Sequence, residues 1–184
     1  MEKGDKARRD FLFLGTGAVA VGGLTMFARP LFAHMAPAAD SLEAPWLDVN
    51  LSKLLEGEQM TVTYLGLPVA IRYRTPDEIA AAQADDDADL FDPQTDQERL
   101  RPKPDGTFDP RFLVFHPICT HFGCVVVGEA GNYDGWYCPC HGSHFDTSGR
   151  VRNGPAPLNL EIPDYVWRTD TSITLRKRSI FTPS

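Results

Sequence analysis

The stretches CTHFGC (Cys119–Cys124) and CPCHGSHF (Cys138–Phe145) hold all four cysteines of the chain and three of its five histidines. Thiolate and imidazole are the ligands of choice for soft and borderline metal ions. Four chemistries use such a concentration: a zinc knot, a redox dithiol, a pair of disulfides or an iron–sulfur cluster. Their spacing requirements differ. Structural zinc sites usually pair ligands as C-x₂₋₄-C and H-x₃₋₅-H. Here the first loop is C-x-H-x-x-C, from Cys119, His121 and Cys124, and the second is C-x-C-H, from Cys138, Cys140 and His141. One cysteine and one histidine from each loop would still make a zinc site. A thioredoxin-like dithiol needs C-x-x-C, which neither loop contains. Disulfides alone leave the histidines without a role.

A [2Fe–2S] cluster with two cysteines on one iron and two histidines on the other uses the whole set. It takes one cysteine and one histidine from each loop and leaves one cysteine per loop, free to bridge the loops in an oxidising compartment. The double pattern C-T-H-x-G-C … C-P-C-H-G-S-H resembles the Rieske iron–sulfur subunit of quinol–cytochrome c oxidoreductase, the respiratory cytochrome bc complex, of the bacterial type. The similarity is strongest over 116–163 and continues more loosely from Trp46 and through the N-terminal segment.

The resemblance implies one Rieske-type [2Fe–2S] cluster bound by Cys119, His121, Cys138 and His141. It also implies a disulfide between Cys124 and Cys140, and a hydrogen bond from Ser143 to a bridging sulfide. The loop Gly154, Pro155, Ala156 and Pro157 would cover the cluster. His141 would meet the quinol hydroxyl, with His121 as the second exposed imidazole of the catalytic pair and Phe122 and Gly123 flanking both on the docking surface. Two positions depart from the family: leucine is usual at Phe122, and tyrosine at Phe145. A tyrosine hydroxyl donating to a ligand sulfur would stabilise the reduced cluster, so Phe145 implies a lower reduction potential. His34, His116 and His144 are expected to be structural.

The implied function is electron transfer in a proton-translocating enzyme: an electron taken from quinol, coupled to proton release, and passed to a c-type cytochrome by movement of the head. Partners would be cytochrome b, a c-type cytochrome, quinol and the lipid membrane, in a dimeric complex. A subunit of another periplasmic oxidoreductase, such as arsenite oxidase, is the alternative reading. The formal net charge of −7 argues against nucleic acid as a partner, since phosphate binding needs a basic face.

Phe11 to Ala28, FLFLGTGAVAVGGLTMFA, carries no charge, and a bilayer span needs roughly 20 predominantly apolar residues. Leu31 and Phe32 extend the run past Arg29, which can snorkel to the interface. Basic residues before the run and acidic ones after it orient the N-terminus to the cytoplasm. ARRDFL (Ala7–Leu12) resembles a twin-arginine export signal, and a retained anchor is favoured over cleavage near Ala33, Ala36 and Ala38. The organisation expected is therefore a cytoplasmic start with the twin arginines over 1–10, a single-pass anchor over 11–32, a flexible tether over 33–44 and an extracytoplasmic Rieske head over 45–184. Residues of about 114–157 form its cluster-binding subdomain. The location implied is a bacterial inner membrane with the head in the periplasm.

The head reads as mainly β and antiparallel. Trp46–Val49, Met60–Gly66, Pro68–Tyr73, Arg111–Phe115, Leu158–Pro163 and Ser172–Lys177 are expected strands, with a Gly-Leu-Pro turn joining the second and third. PDEIAAAQA (Pro76–Ala84) opens with proline and two acids and is expected to be a short helix. Residues 85–110, acidic and proline-rich, read as a solvated surface insertion. The end of the chain, RSIFTPS, is expected to fray.

Overall fold

In a computed structural model, residues 2–34 and 46–176 are described. They fall in two units, one holding the N-terminal helix and the other the β elements. The helix, α1, spans Glu2–His34. Its stretch Lys6–Phe32 has a mean hydropathy of 1.8 over its most apolar window. At about 1.5 Å per residue it exceeds the roughly 30 Å of a hydrocarbon core. Thr16 and Thr25 turn their hydroxyls back onto the carbonyls of Leu12 and Val21, so neither presents an unpaired donor to an apolar surrounding. The helix runs two residues into the expected tether, and the remainder of that tether lies outside the described residues.

The second unit opens with β1 (Trp46–Asn50), β2 (Gln59–Tyr64) and β3 (Leu67–Tyr73). The β2–β3 turn is centred on Leu65 and Gly66, at φ of 50° and 77°, not on Gly-Leu-Pro. Two consecutive left-handed residues match the right-handed twist of a two-residue hairpin, and Leu67 and Pro68 belong to β3. The helix α2 (Pro76–Ala84) has the expected bounds, with Thr75 and Glu78 closing a capping box. Next come β4 (Phe112–Phe115), β5 (Val127–Gly128), β6 (Asp134–Cys138), β7 (Ser143–Asp146), β8 (Val151–Asn153), β9 (Tyr165–Thr169) and β10 (Ser172–Arg176).

All pairings are antiparallel, in sheets ordered β1-β10-β9, β2-β3-β4 and β5-β6-β7-β8. β4 explains how the sheets assemble. Side chains alternate faces along a strand, and all four of its residues are buried. Phe112 and Val114 join Val69, Ile71, Trp167, Ile173 and Leu175 in one core. Leu113 and Phe115 join Trp136, Phe145, Cys119 and Cys138 in another. The sheet carrying β4 is thus the shared wall between the base of the unit and its metal-type loops.

Two expectations are corrected. Leu158–Pro163 is not a strand: His116 N–H bonds Glu161 O and Leu160 N–H bonds Gly149 O, so two different loops hold it rather than one partner strand. Residues 85–110 do lie at the surface, with Phe91 and Phe108 exposed, but they are not solvated throughout. Asp96 is buried on Arg74 and the Ser148 hydroxyl, and Asp86 pairs with buried Arg150. Asp85 pairs with Arg152, and Asp109 with Arg111 and Lys103. Asp85, Asp86 and Asp96 are paired with arginines placed far along the chain, which local sequence cannot reveal.

Candidate metal centre

Each cysteine loop closes on itself in the same way. Gly123 N–H donates to Cys119 O at 2.9 Å, and Gly142 N–H to Cys138 O at 3.0 Å. Both glycines are left-handed, at φ 77° and 79°, a conformation that costs other residues roughly 1–2 kcal/mol. Each first cysteine therefore opens a turn ended by a glycine four residues on. The turns differ in where they place histidine, second after Cys119 and third after Cys138. An Ile118–Val125 bridge closes the base of the first loop, while β6 and β7 flank the second.

A disulfide joins Cys124 to Cys140, with Cα atoms 6.7 Å apart, and ties the two loops together. Cys119 and Cys138 remain free thiols, each only 1% exposed. The Cys138 Sγ lies within 4.8 Å of both disulfide sulfurs, but those sulfurs are spent on each other. Burial pushes the Cys119 thiol above its ordinary pKa. The His121 backbone N–H and the Ser143 hydroxyl act against this, and the neighbouring Cys138 adds to it. A Cys119 thiol raised in this way has little reason to ionise unless a metal draws its proton off.

His121 has a buried Nδ1 with no hydrogen-bond partner among the described residues. Such an atom is costly to bury unless it is satisfied. His141 stands on the surface, its ring edge to face with that of His121 at a centroid distance of 4.7 Å. Phe122 packs its ring on His121 at 4.1 Å and is itself 77% exposed. Two buried thiols, an orphaned imidazole nitrogen and a second imidazole beside it make a donor set that fits a [2Fe–2S] cluster of the His₂Cys₂ kind.

The Gly154–Pro157 loop lies against this centre. Gly154 has φ 97°, and a Cβ there would sit 2.6 Å from Gly142 O and from Ser143 Cα. Ala156 N–H donates to the Oγ of buried Ser143 at 3.1 Å, and Thr120 Oγ1 donates to Leu158 O at 2.6 Å. Phe145 is fully buried in the adjoining core. His116 Nδ1 lies 2.8 Å from Pro68 O, and His144 Nδ1 accepts from Asn132 N–H; both histidines have structural work. The His34 side chain lies outside the described residues. Thr120 and Gly142 were missed by sequence reasoning, although the glycine four residues after each first cysteine was there to be read.

The Rieske [2Fe-2S] domain family matches residues 45–165, and residues 1–38 match the TAT signal of the ubiquitinol-cytochrome C reductase Fe-S subunit. The ubiquinol-cytochrome c reductase iron-sulfur subunit of Rhodospirillum rubrum is 44% identical over 177 residues, covering 94% of this chain and 93% of the relative. The subunit of that name from Rickettsia felis is 45% identical, over 91% of this chain and 92% of its own length. The mitochondrial cytochrome b-c1 complex subunit Rieske of Saccharomyces cerevisiae is 44% identical, over 92% of this chain and 76% of its own. The chain belongs to the Rieske [2Fe–2S] family and, within it, to the iron–sulfur subunits of ubiquinol–cytochrome c reductase. It is an electron-transfer subunit with a [2Fe–2S] cofactor, and cytochromes are its implied partners. The export signal and the apolar α1 suit a membrane-anchored, exported protein.

Proposed function

We propose that Cys119 and Cys138 hold one iron of the cluster and His121 and His141 the other, and that His141 receives the quinol. The observation that carries this reading is the orphaned Nδ1 of His121, in a loop opened by the buried Cys119 thiol, with exposed His141 packed on its ring. When bound, a His₂Cys₂ cluster supplies a one-electron acceptor in the range of ≈ −150 to +300 mV, against ≈ −400 mV for plant-type clusters.

The chain's own residues do the rest. The outer ring nitrogen of His141 accepts a hydrogen bond from the quinol hydroxyl and orients it, with His121 as the neighbouring imidazole. Phe122 and Gly123 make the contact surface around them, suited to an apolar wall on cytochrome b. Ser143 would donate its hydroxyl to the bound cluster. The loop Gly154, Pro155, Ala156 and Pro157 keeps water from that side. Phe145 offers no hydroxyl there and so sets a lower midpoint than tyrosine would.

The head then carries its histidine tip from the quinol site to a c-type cytochrome, on a tether over 33–44 whose small, alanine-rich composition suits a hinge. α1 spans the inner membrane once with the N-terminus in the cytoplasm, so the head works in the periplasm, within a dimeric complex. The relatives' shared name favours this assembly over a subunit of arsenite oxidase or another exported oxidoreductase. Purification from membranes tests the assembly. Co-purification with b- and c-type haems is expected; a molybdenum enzyme in their place would overturn it.

A further inference from the structure

The segment between α2 and β4 contains Arg99, a cation that is 2% exposed. It lies in a short 3₁₀ turn, Gln97–Arg99. Among the described residues no carboxylate forms an ion pair with it. Its fork is spent on neutral acceptors from three segments. Nε donates to Ser148 O, Nη1 to Gln94 Oε1 at 2.7 Å and Nη2 to Leu160 O at 2.6 Å. Leu160 N–H bonds Gly149 O at 2.9 Å, so the two carbonyl-bearing segments meet at the guanidinium. Burial pushes the Arg99 pKa down to about 10, yet the group stays protonated at neutral pH. Burying a charge on this scale is costly, and what it gains here is a planar, fixed geometry.

A second tie lies beside the first. Asp92 Oδ2 accepts from Asn159 N–H at 3.0 Å, and Asp92 O from Asn159 Nδ2 at 2.9 Å. Gln94 Oε1 accepts from the same amide at 3.0 Å. Asn159 in turn accepts from Val151 N–H at 2.9 Å. Ser148 and Val151 precede the Gly154–Pro157 loop, and Asn159 and Leu160 follow it. Both feet of the loop are thus pinned to the acidic segment.

We propose that Arg99, assisted by Asp92, is a positioning residue for the loop that covers the cluster, fixing its two feet so that Ala156 N–H stays on the Ser143 hydroxyl. The segment is in this sense part of the redox centre without touching it. The proposal rests on the reading that the two loops hold the cluster. A backbone N–H donated to Ser143 Oγ polarises its O–H, so loosening the loop weakens the hydroxyl's own donation and lowers the midpoint.

The test uses Arg99→Lys, Asp92→Ala and Asp92→Asn in the intact membrane complex. Hydrogen exchange by mass spectrometry is read over 151–160 against the β9–β10 hairpin, and the midpoint is read by redox titration. Arg99→Lys keeps the charge but not the fork, and Asp92→Ala removes an acceptor. Both are expected to speed exchange over 151–160 by about tenfold or more, the scale of losing a charged hydrogen bond, and to lower the midpoint. The β9–β10 hairpin is expected to stay unchanged. Asp92→Asn keeps an acceptor and is expected to restore both readouts. Unchanged exchange over 151–160, or exchange raised equally in β9–β10 with the midpoint unmoved, would overturn the proposal. Should Arg99→Lys fail to fold, the two Asp92 variants decide alone. A wild-type protein without a histidine-ligated cluster spectrum would sink the functional reading instead, and the exchange data would still judge the clamp.

Discussion

His121 and His141 meet edge to face across the two loops, their rings at 88° and 4.7 Å between centroids, one with its Nδ1 buried and the other on the surface. Loops of different spacing bring them together because each is closed by a glycine and both are locked by the Cys124–Cys140 disulfide. If these imidazoles are ligands, His121→Ala and His141→Ala each lose the cluster. Iron content of the purified protein falls close to zero, whereas His116→Gln and His144→Gln keep their iron. Full iron in His121→Ala would refute the assignment.

The disulfide closes a loop with a sequence separation of 16. A loop of that size restricts the unfolded chain by about 3 kcal/mol. The double variant Cys124→Ser/Cys140→Ser is expected to lose that much in urea denaturation of the protein. It should also shed its cluster faster, because nothing covalent then holds one loop to the other. Denaturation midpoints that coincide with the wild type would show that the bridge does neither.

Gly123 and Gly154 are both left-handed, but only one is crowded. A Cβ at Gly123 meets nothing within 4 Å, while one at Gly154 strikes the backbone of Gly142 and Ser143. Gly123→Ala should therefore cost only its backbone strain, roughly 1–2 kcal/mol. Gly154→Ala should cost more and push the covering loop off Ser143. Thermal melting together with the cluster's visible spectrum separates the two: the first variant keeps a native spectrum at reduced stability, and the second loses both.

Asp109 ties Lys103 and Arg111 beneath β4. Burial would raise its carboxyl, but the hydrogen bonds from Arg111 and Lys103 outweigh burial and hold it at about 2. A depressed folded-state pKa stabilises the fold above the unfolded value of about 3.9. That contribution is lost as pH falls through the folded value. Asp109→Asn should then lower the melting temperature most at neutral pH. The gap to wild type should shrink below about pH 4. A gap that stays constant down to pH 3 would contradict the pairing.

Much of this was legible in the sequence. The fully apolar run at Phe112–Phe115 is what a strand buried on both faces requires, and Pro76 with Asp77 and Glu78 announced α2. The two cysteine loops stood out because cysteine and histidine are rare and their spacing is chemically restrictive. Long-range partnership was not legible. Leu158–Pro163 alternates like a strand but finds bonds to two loops, and β9 (Tyr165–Thr169), with its tryptophan, was passed over. The acidic run after α2 looked solvated since its partners Arg74, Arg150 and Arg152 lie outside it and only folding brings them near.

The most direct test is electron paramagnetic resonance of the reduced protein in its membrane, recorded with the quinone pool present and again after its extraction. The account predicts a rhombic signal of a histidine-ligated [2Fe–2S] cluster whose shape changes with quinone occupancy, since an exposed His141 beside the cluster would bond the quinone directly. A cluster signal indifferent to quinone would contradict the quinol site, and the absence of any cluster signal would contradict the metal centre itself.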